Sequence, residues 1–590
     1  MRRVLLTLLL PLLLPTYKAT GQPRPTDFIQ ELWYKKGVVY NLDVKVFQDS
    51  DGDGVGDFNG LTRRLDYLSD LGVTVLWLAP FQPSPNQDDG YDISDFYGID
   101  ARLGTQADLR NFIQQAKKRG IRVVMDLVVN HTSSQHPWFQ QARRNKESPY
   151  RSWYVWSQQR PRDWNKGMIF PGVQHETWSY DSLAGAYFYH RFYRFQPDLN
   201  AQNPAVQAEL RNVVRHWLAL GIDGFRLDAV PFFIEVPGTS VNNPDLQFDL
   251  LMWLRQFIQW QKGDALLLGE TNVAPKENKQ YFGQYGEGMQ MMFNFYVNQF
   301  LFYALATGDV GTLEKALEAT RDVPTTAQWA FFLRNHDEID LGRLSKRQRE
   351  AVYARMGPDK NMQLYERGIR RRLAPMLANP AQLRMAYSLL FALPGTPVLR
   401  YGEEIGMGDD LRLKERLAIR TPMQWLAGPN GGFTTARQPI RPPIQQGPYR
   451  YANVNVTAQR QDSASLLTHI RRLIRLRKQY PEIGQGVWQL RKSHSPHVLI
   501  LASEGPNRTV VTVHNFSPHP QTIRGLFEGA RGARGIGING KTGPSPIDKT
   551  GDIQLPGYGY GWFTIEPKTN PVPPDGKSTS GRATPTGRGR

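Results

Sequence analysis

The chain has 590 residues, of which 40% are hydrophobic and 21% charged, a composition typical of a globular protein with more than one domain. It contains no cysteine, which excludes disulfides, thiol catalysis and zinc–thiolate sites. The formal net charge is +18, but the basic residues are not interleaved with aromatic residues on one face, so we expect no nucleic-acid partner.

The first residues have the pattern of a secretory signal. Arg2 and Arg3 precede an apolar run over residues 4–14 that is too short to span a bilayer, and small residues follow at 19–21. This pattern predicts a signal peptide over residues 1–21, a secreted or periplasmic protein, and no stable membrane insertion after cleavage. An uncleaved anchor is the alternative. At the other end, residues 567–590 have the composition of a disordered tail.

A glycine-rich acidic loop follows a strand-like run at 37–47. Its carboxylates are Asp49, Asp51, Asp53 and Asp57. Alternating carboxylates in such a loop offer the oxygen ligands that hard cations prefer. The twelfth position is Gly60 rather than glutamate, which excludes the helix-loop-helix calcium motif. We therefore predict a calcium loop of another kind, with a polar turn as the alternative.

Strand-like apolar runs alternate with helical patterns along most of the chain, such as a helix predicted over residues 61–71. Eight such units make a closed parallel barrel the economical fold, so we predict an α/β protein with a (β/α)8 TIM barrel over residues 22–131 and 201–482. The irregular, tryptophan-rich residues 132–200 predict a subdomain inserted after the third strand. Alternating runs within 483–566 predict a C-terminal antiparallel β domain. The predicted barrel strands are 37–47, 73–80, 121–129, 225–230, 264–272, 291–295, 328–337 and 395–401.

Polar residues stand at the carboxyl ends of these strands, where barrel enzymes place their active sites. They are Asp92, His131, Asp228, Glu270 and Asp337. In the fourth strand, Arg226 and Asp228 are two residues apart and share one face. Because buried charges must be paired, a structural ion pair is one interpretation of these two residues. Three carboxylates at strand ends of one barrel favour a catalytic site instead.

Four short motifs carry a resemblance to a known family: DLVVNH at 126–131, GFRLD at 224–228, GE at 269–270 and RNHD at 334–337. With these motifs the chain resembles the α-amylase family of glycoside hydrolases (family 13) over residues 37–565. Within that family it looks most like trehalose synthases and their α-amylase-like relatives, as stretches such as RTPMQW at 420–425 indicate.

The resemblance implies roles for individual residues. Asp228 matches the nucleophile, Glu270 the general acid/base, and Asp337 the residue that stabilises the transition state. The matching contacts to the innermost glucose ring are Asp92, His131, Gln196, Arg226 and His336. The matching calcium ligands are Asn130, Asp198, Glu235 and the main-chain carbonyls of Phe232 and Phe233, with Asp49, Asp51, Asp53 and Asp57 as a second metal loop.

The chemistry implied is cleavage of α-glucosidic bonds with retention of configuration, through a glucosyl intermediate on Asp228. Glu270 must start protonated, so we expect its pKa to be raised by neighbouring carboxylates, while Arg226 holds Asp228 ionised. The resemblance predicts hydrolysis or transfer of glucosyl units of maltose and short maltooligosaccharides, with isomerisation of maltose to trehalose as the alternative. A binding protein without catalysis would lack the three carboxylates, and a nucleic-acid role would predict salt-sensitive DNA binding.

Overall fold

The computed structural model describes residues 32–236, 244–530, 532–547 and 550–566, so the predicted signal peptide and tail lie outside the described residues. Eight strands form a closed barrel in which all neighbouring strands run parallel, and the first strand pairs with the second and the last. This confirms the predicted TIM barrel. In chain order the barrel strands are β1 Val39–Leu42, β2 Val75–Leu78, β3 Arg122–Leu127, β4 Gly224–Leu227, β5 Leu266–Gly269, β6 Met291–Phe293, β7 Gln328–Phe332 and β8 Thr396–Arg400.

Local sequence signals set the entry into β4. The preceding helix, Pro204–Leu220, begins after Asn203, whose side chain accepts a hydrogen bond from the Ala205 N–H, and has proline in its first turn. It ends at Gly221, which adopts a left-handed conformation with φ of 110°. The chain can therefore turn back at once into β4, which carries Arg226 and leads to Asp228.

The barrel interior changes from apolar to polar along the strands. Its lower layers are apolar and include Val39, Val124 and Val398, all buried. Two residues further along the strands, the same inward faces carry Asn41, Asp126 and Arg400. The period of two thus places a buried polar layer directly on top of the apolar core, at the carboxyl ends of the strands.

Helices cover the outside of the barrel and bury apolar faces against it. The helices of six or more residues in the barrel and its final segment are Phe58–Arg63, Leu65–Leu71, Gln106–Lys118, Pro204–Leu220, Asp249–Gln261, Phe295–Thr307, Gly311–Ala319, Lys346–Met356, Pro380–Ala392, Val456–Gln461 and Leu466–Gln479. Shorter helices are Val230–Phe233, Asn278–Phe282, Leu373–Leu377 and Glu482–Gln485. Among the residues that the structure describes, no helix has the length and apolar character needed to cross a membrane.

The segment after β3 contains the helix Pro137–Arg144 and a three-stranded antiparallel sheet, Trp156–Ser157, Ala186–Tyr189 and Trp178–Asp181. After the barrel, an antiparallel sheet of six strands forms the C-terminal domain, as predicted. In sheet order its strands are Val487–Arg491, Val498–Glu504, Thr509–Asn515, Tyr560–Ile565, Arg534–Ile538 and Lys541–Pro546, and a separate pair is Gln521–Ile523 with Ile553–Leu555.

All eight predicted barrel strands are longer than the observed strands, most of all the first, and one predicted helix is divided. The strand predicted over 37–47 ends at Leu42, because the Asp43 carboxylate accepts a hydrogen bond from the Lys45 N–H and starts a short 3-10 turn. The helix predicted over 61–71 is two helices that meet at Arg64. In both places a local backbone break interrupts a continuous apolar pattern.

Candidate active site

One buried arginine joins the carboxylates at the ends of three neighbouring strands. Arg226 is 1% exposed. Its Nη1 lies 2.7 Å from Asp126 Oδ1 and 2.6 Å from Asp228 Oδ1, and its Nη2 lies 2.8 Å from Glu270 Oε2. The Ala229 N–H also donates to Glu270 Oε2 over 3.1 Å. The structure thus brings the predicted nucleophile and the predicted acid/base to one guanidinium group.

The third predicted catalytic carboxylate has its own cationic partners. Asp337 Oδ1 lies 3.1 Å from both Arg416 Nη1 and Arg420 Nη2. Burial acts to raise the pKa of Asp337, but the positive charges of Arg416 and Arg420 together hold it well below its usual range. Asp337 is therefore ionised throughout the physiological range, as stabilisation of a positive transition state requires.

All three carboxylates line one pocket of about 590 Å³. Its wall includes the predicted substrate residues His131, Gln196 and His336. Phe170 and Phe192 from the inserted subdomain and Phe232 after β4 supply aromatic surface. A pocket with an acidic floor and aromatic sides suits a neutral sugar ring, whose hydroxyls bond to carboxylates and whose apolar faces pack on rings.

The two pocket histidines are neutral. Burial lowers the pKa of His131 to about 4 and that of His336 well below its ordinary value. His336 stacks on Tyr91 with an interplanar angle of 6° and its Nε2 lies 2.7 Å from the Tyr91 hydroxyl. Neutral imidazoles can both donate hydrogen bonds to sugar hydroxyls and accept them.

Two of the predicted glucose contacts take other positions. Asp92 is fully buried and lies outside the pocket wall, because its carboxylate accepts hydrogen bonds from Ser84 Oγ and from the N–H groups of Gln87 and Asp88. Arg226 lies beneath the carboxylates rather than in the wall. Asp88, four residues before Asp92, lines the pocket instead, and accepts a hydrogen bond from Gln196 Nε2.

Substitution of these two aspartates separates their roles. We expect Asp88→Asn to lower kcat/KM on an α-glucoside about 10- to 100-fold with little change in Tm, because the lost interaction is a charge-assisted bond to substrate. We expect Asp92→Ala to lower Tm, because three donors of the loop lose their acceptor. Steady-state kinetics and calorimetry on both variants make the comparison. A large loss of kcat/KM with an unchanged Tm in Asp92→Ala would mean that Asp92 contacts the substrate.

The pKa values of the reacting pair have the order that catalysis needs. Burial raises the pKa of Glu270 to about 7. The positive charge of Arg226 opposes this shift, and the negative charges of Asp228 and Asp337 add to it. The predicted direction is therefore correct, but burial contributes more than the carboxylate neighbours. Burial also raises the pKa of Asp228, to about 6, because it outweighs the opposing charge of Arg226. Between these values, Asp228 is mostly ionised while Glu270 is mostly protonated.

These pKa values predict a narrow, bell-shaped pH profile. We expect kcat/KM to fall below about pH 6 as Asp228 takes up a proton, and above about pH 7 as Glu270 loses one. Rates with an α-glucoside from pH 4.5 to 9 would measure both limbs. In Glu270→Gln the alkaline limb should disappear, and its persistence would assign that limb to another group.

The residues predicted to hold calcium after β3 and β4 are also brought together. The Asn130 amide bonds to Asp198, and Asp198, Phe232, Phe233 and Glu235 line one cavity. Burial raises the pKa of Asp198 to about 8 and that of Glu235 to about 7, with Arg191 Nη2 3.2 Å from Glu235 Oε1. The buried carboxylate of Asp198 and the partly buried carboxylate of Glu235 line this cavity, and the Asn130 amide contacts Asp198; these oxygens are ligands that a hard cation prefers.

The acidic loop holds a smaller cluster than predicted. Asp49, Asp51 and Asp57 each place one carboxylate oxygen within 4.8 Å of the others. Asp53 is exposed and is not in this group, because its carboxylate accepts a hydrogen bond from the Val55 N–H in a local turn. Asp57 also caps the helix Phe58–Arg63. Three carboxylate oxygens at this spacing are ligands that a hard cation prefers.

Comparison with known proteins agrees with this geometry. The model of the α-amylase catalytic domain matches residues 44–486, which include seven of the eight barrel strands and every pocket residue named above. The chain belongs to the α-amylase family. It is a glycoside hydrolase or glucosyltransferase of that family, and its three pocket carboxylates stand at the carboxyl ends of barrel strands, where barrel enzymes place their active sites.

Relatives of this α-amylase family enzyme include several trehalose synthases. It is 39% identical over 564 residues to the trehalose synthase/amylase TreS of Mycobacterium tuberculosis, covering 92% of each chain. It is 40% identical over 541 residues to the trehalose synthase of Thermus thermophilus, covering 91% of this chain but 56% of that protein's length. The oligo-1,6-glucosidase of Parageobacillus thermoglucosidasius is 32% identical.

A solved structure shows the same architecture. The α-amylase from H. orenii superposes with a TM-score of 0.73 at 28% identity, covering 90% of this chain and all of that one. This structural similarity and the similarity to the sequence relatives both place the enzyme among the retaining members of the family that act on α-glucosides.

Several residues that line the pocket or contact its carboxylates were not predicted from the sequence. Asp88 and Tyr91 belong to the same loop as Asp92, and nothing in the local pattern shows which carboxylate faces the pocket. Arg420 opens the RTPMQW stretch that supported the resemblance, but the sequence alone assigned it no role. Arg416 and Arg420 contact Asp337 across a long interval of chain, so only the tertiary structure reveals the pairs.

Proposed function

We propose that this enzyme isomerises maltose to trehalose by moving a glucosyl unit within a closed pocket, and releases glucose in a minority of turnovers. Asp228 attacks the anomeric carbon while Glu270 gives its proton to the leaving oxygen. The freed glucose turns, and its anomeric hydroxyl attacks the glucosyl carbon while Glu270 takes up the proton. Both steps need the glucose to stay beside the intermediate.

The observation that carries this proposal is a bridge next to the pocket. Tyr193 of the inserted subdomain donates to Glu415 Oε2 over 2.6 Å, and Tyr365 donates to the same oxygen over 2.9 Å. Their rings both pack on Phe170, which lines the pocket and lies under the guanidinium of Arg416. The subdomain is thereby tied to two barrel loops, which restricts the escape of glucose.

Relatives support the same proposal. The trehalose synthases are 38–40% identical to this chain, whereas the oligo-1,6-glucosidases are 30–32% identical. Hydrolysis is the second candidate, because a pocket that opens before transfer would admit water. The amount of glucose per trehalose formed distinguishes the two candidates.

Product analysis with maltose tests the proposal. We expect trehalose as the main product, with less glucose and few longer sugars. Tyr193→Phe removes one hydroxyl from the bridge and keeps the ring, so the glucose share should rise. Tyr180→Phe, an exposed tyrosine of the same subdomain, is the matched control and should leave the share unchanged. Glucose as the main product of the unmodified enzyme would overturn isomerisation and make the enzyme a hydrolase.

We also propose that calcium binds at the Asn130–Asp198–Glu235 site, joining the inserted subdomain to the barrel; the donor set above supports this proposal. We expect a chelator to lower Tm and added calcium to restore it, since an ion at 100 times its Kd contributes about 2.7 kcal/mol to stability. Asp198→Asn should lose this calcium response, whereas Asp51→Asn should lose only the part that belongs to the acidic loop. A Tm indifferent to calcium in the unmodified enzyme would contradict the proposal.

A further inference from the structure

Three arginines that the reaction above does not use line the active-site pocket. They are Arg343, Arg349 and Arg367. One carboxylate of the pocket wall, Asp340, lies among them. Its Oδ1 is 3.2 Å from Arg367 Nε, and its Oδ2 accepts a hydrogen bond from Asn272 Nδ2 over 2.6 Å. Asp340 therefore forms an ion pair with Arg367 and a hydrogen bond with Asn272.

The other two guanidinium groups are not neutralised. Within the described part of the chain, no carboxylate oxygen lies within 4 Å of the side-chain nitrogens of Arg343 or Arg349. Arg349 and Asp340 both lie within electrostatic reach of the Tyr353 hydroxyl, which places Arg349 in the same region. Two guanidinium groups without a carboxylate partner thus line a pocket whose other lining cations are paired, Arg367 with Asp340 and Arg416 with Asp337 and Glu338.

The position of Arg343 relates these charges to the reaction. Its Nη2 donates to the Asn272 carbonyl over 2.7 Å, and its Nε donates to the Asn272 side chain over 3.2 Å. Asn272 follows the acid/base Glu270 by two residues. Because Glu270 protonates the oxygen of the leaving group, Arg343 is on the side of the pocket that receives the leaving group or acceptor.

We propose that this side of the pocket binds a sugar that carries an anionic group, a phosphate monoester or a carboxylate, as acceptor or leaving group. Guanidinium groups bind such anions through paired, charge-assisted hydrogen bonds, and a neutral sugar would leave their charge unused. The inner subsite still takes the glucosyl unit. The inference rests on the proposed function only in that glucosyl transfer takes place in this pocket.

The transfer step is balanced without a further reactant. The bond between the anomeric carbon and the Asp228 carboxylate breaks as a hydroxyl oxygen of the anionic sugar bonds to that carbon. The hydroxyl proton passes to Glu270, which had lost its proton to the first leaving group. The product is a glucoside of the anionic sugar, and the enzyme returns to its starting state.

An acceptor assay tests the proposal with the full chain. p-Nitrophenyl α-glucoside loads the inner subsite, and glucose, glucose 6-phosphate or glucuronate then competes with water for the glucosyl unit. We expect the concentration that diverts half of the glucosyl units to be at least tenfold lower for glucose 6-phosphate or for glucuronate than for glucose. Whichever of the two anionic acceptors has the lower value identifies the anion as phosphate or carboxylate.

Variants identify the residues responsible. Arg343→Gln and Arg349→Gln should each reduce the advantage of the anionic acceptor severalfold, while Arg347→Gln, on the same helix as Arg349 but outside the pocket wall, should keep it. Equal half-diversion concentrations for glucose and both anionic sugars would overturn the proposal, as would an advantage that survives both substitutions. The assay gives its result whether or not maltose is isomerised, so its failure is distinct from failure of the proposed function.

Discussion

Asp228→Asn should lower kcat on an α-glucoside by about 10⁴-fold or more, the scale of loss when a covalent catalyst is removed. The amide has the shape of the carboxylate but cannot attack the anomeric carbon. The variant should fold normally, because Arg226 keeps its contacts with Asp126 and Glu270. Its Tm should be unchanged or higher, since burial raises the pKa of Asp228 and the folded state bears the cost of that charge.

Comparison with Glu270→Gln assigns the two roles. An aryl α-glucoside has a leaving group that needs little protonation, so Glu270→Gln should retain much of the first step with that substrate and lose it with maltose. Asp228→Asn should fail with both substrates. Azide, as an external nucleophile, should restore turnover to Asp228→Gly. Comparable activity of Asp228→Asn and the unmodified enzyme on either substrate would remove Asp228 from the role of nucleophile.

The barrel could be predicted from the sequence because its strands are short apolar runs buried on both faces, each separated by a helix-length interval. The ends of the strands were predicted less accurately than their existence, because each end depends on single hydrogen bonds. At Asp43 the side chain takes up the Lys45 N–H and ends β1 four residues after it begins. An apolar pattern carries no information about that bond.

The same limit applies to the pocket. Asp228, Glu270 and Asp337 could be located from the rule that barrel sites lie at strand ends, and the structure places all three in one pocket. The loop after β2 offers Asp88, Asp89 and Asp92 within five residues, and their roles differ only in three dimensions. Asp88 lines the pocket, Asp89 pairs with Arg420, and Asp92 holds the loop. Their sequence context is too similar to separate them.

Arg226→Met should be the most destabilising substitution in the site, because it leaves three carboxylates without their shared cation. Asp126 is fully buried, and its Oδ2 keeps only the hydrogen bonds from Trp77 and Tyr91. Removal of one partner from a buried ionic network costs about 3–5 kcal/mol. Denaturant unfolding at pH 7 would measure this loss. Arg122→Met, whose guanidinium is about one-third exposed beside Asp264, is the surface control and should cost less than about 1 kcal/mol.

The pH dependence of the loss identifies its cause. Burial raises the pKa of Asp126 to about 6 and that of Glu270 to about 7 even with Arg226 present, and Arg226 opposes both shifts. Without Arg226 the folded-state pKa values rise further above those of the unfolded chain. These two groups then take up protons on folding, so their contribution to stability is most favourable below about pH 4 and falls as pH rises through the raised values. The difference from the unmodified enzyme should therefore widen between pH 5 and 8. If the difference in the free energy of unfolding between the two proteins is the same at pH 5 and pH 8, then packing of the arginine side chain, rather than its charge, stabilises the site.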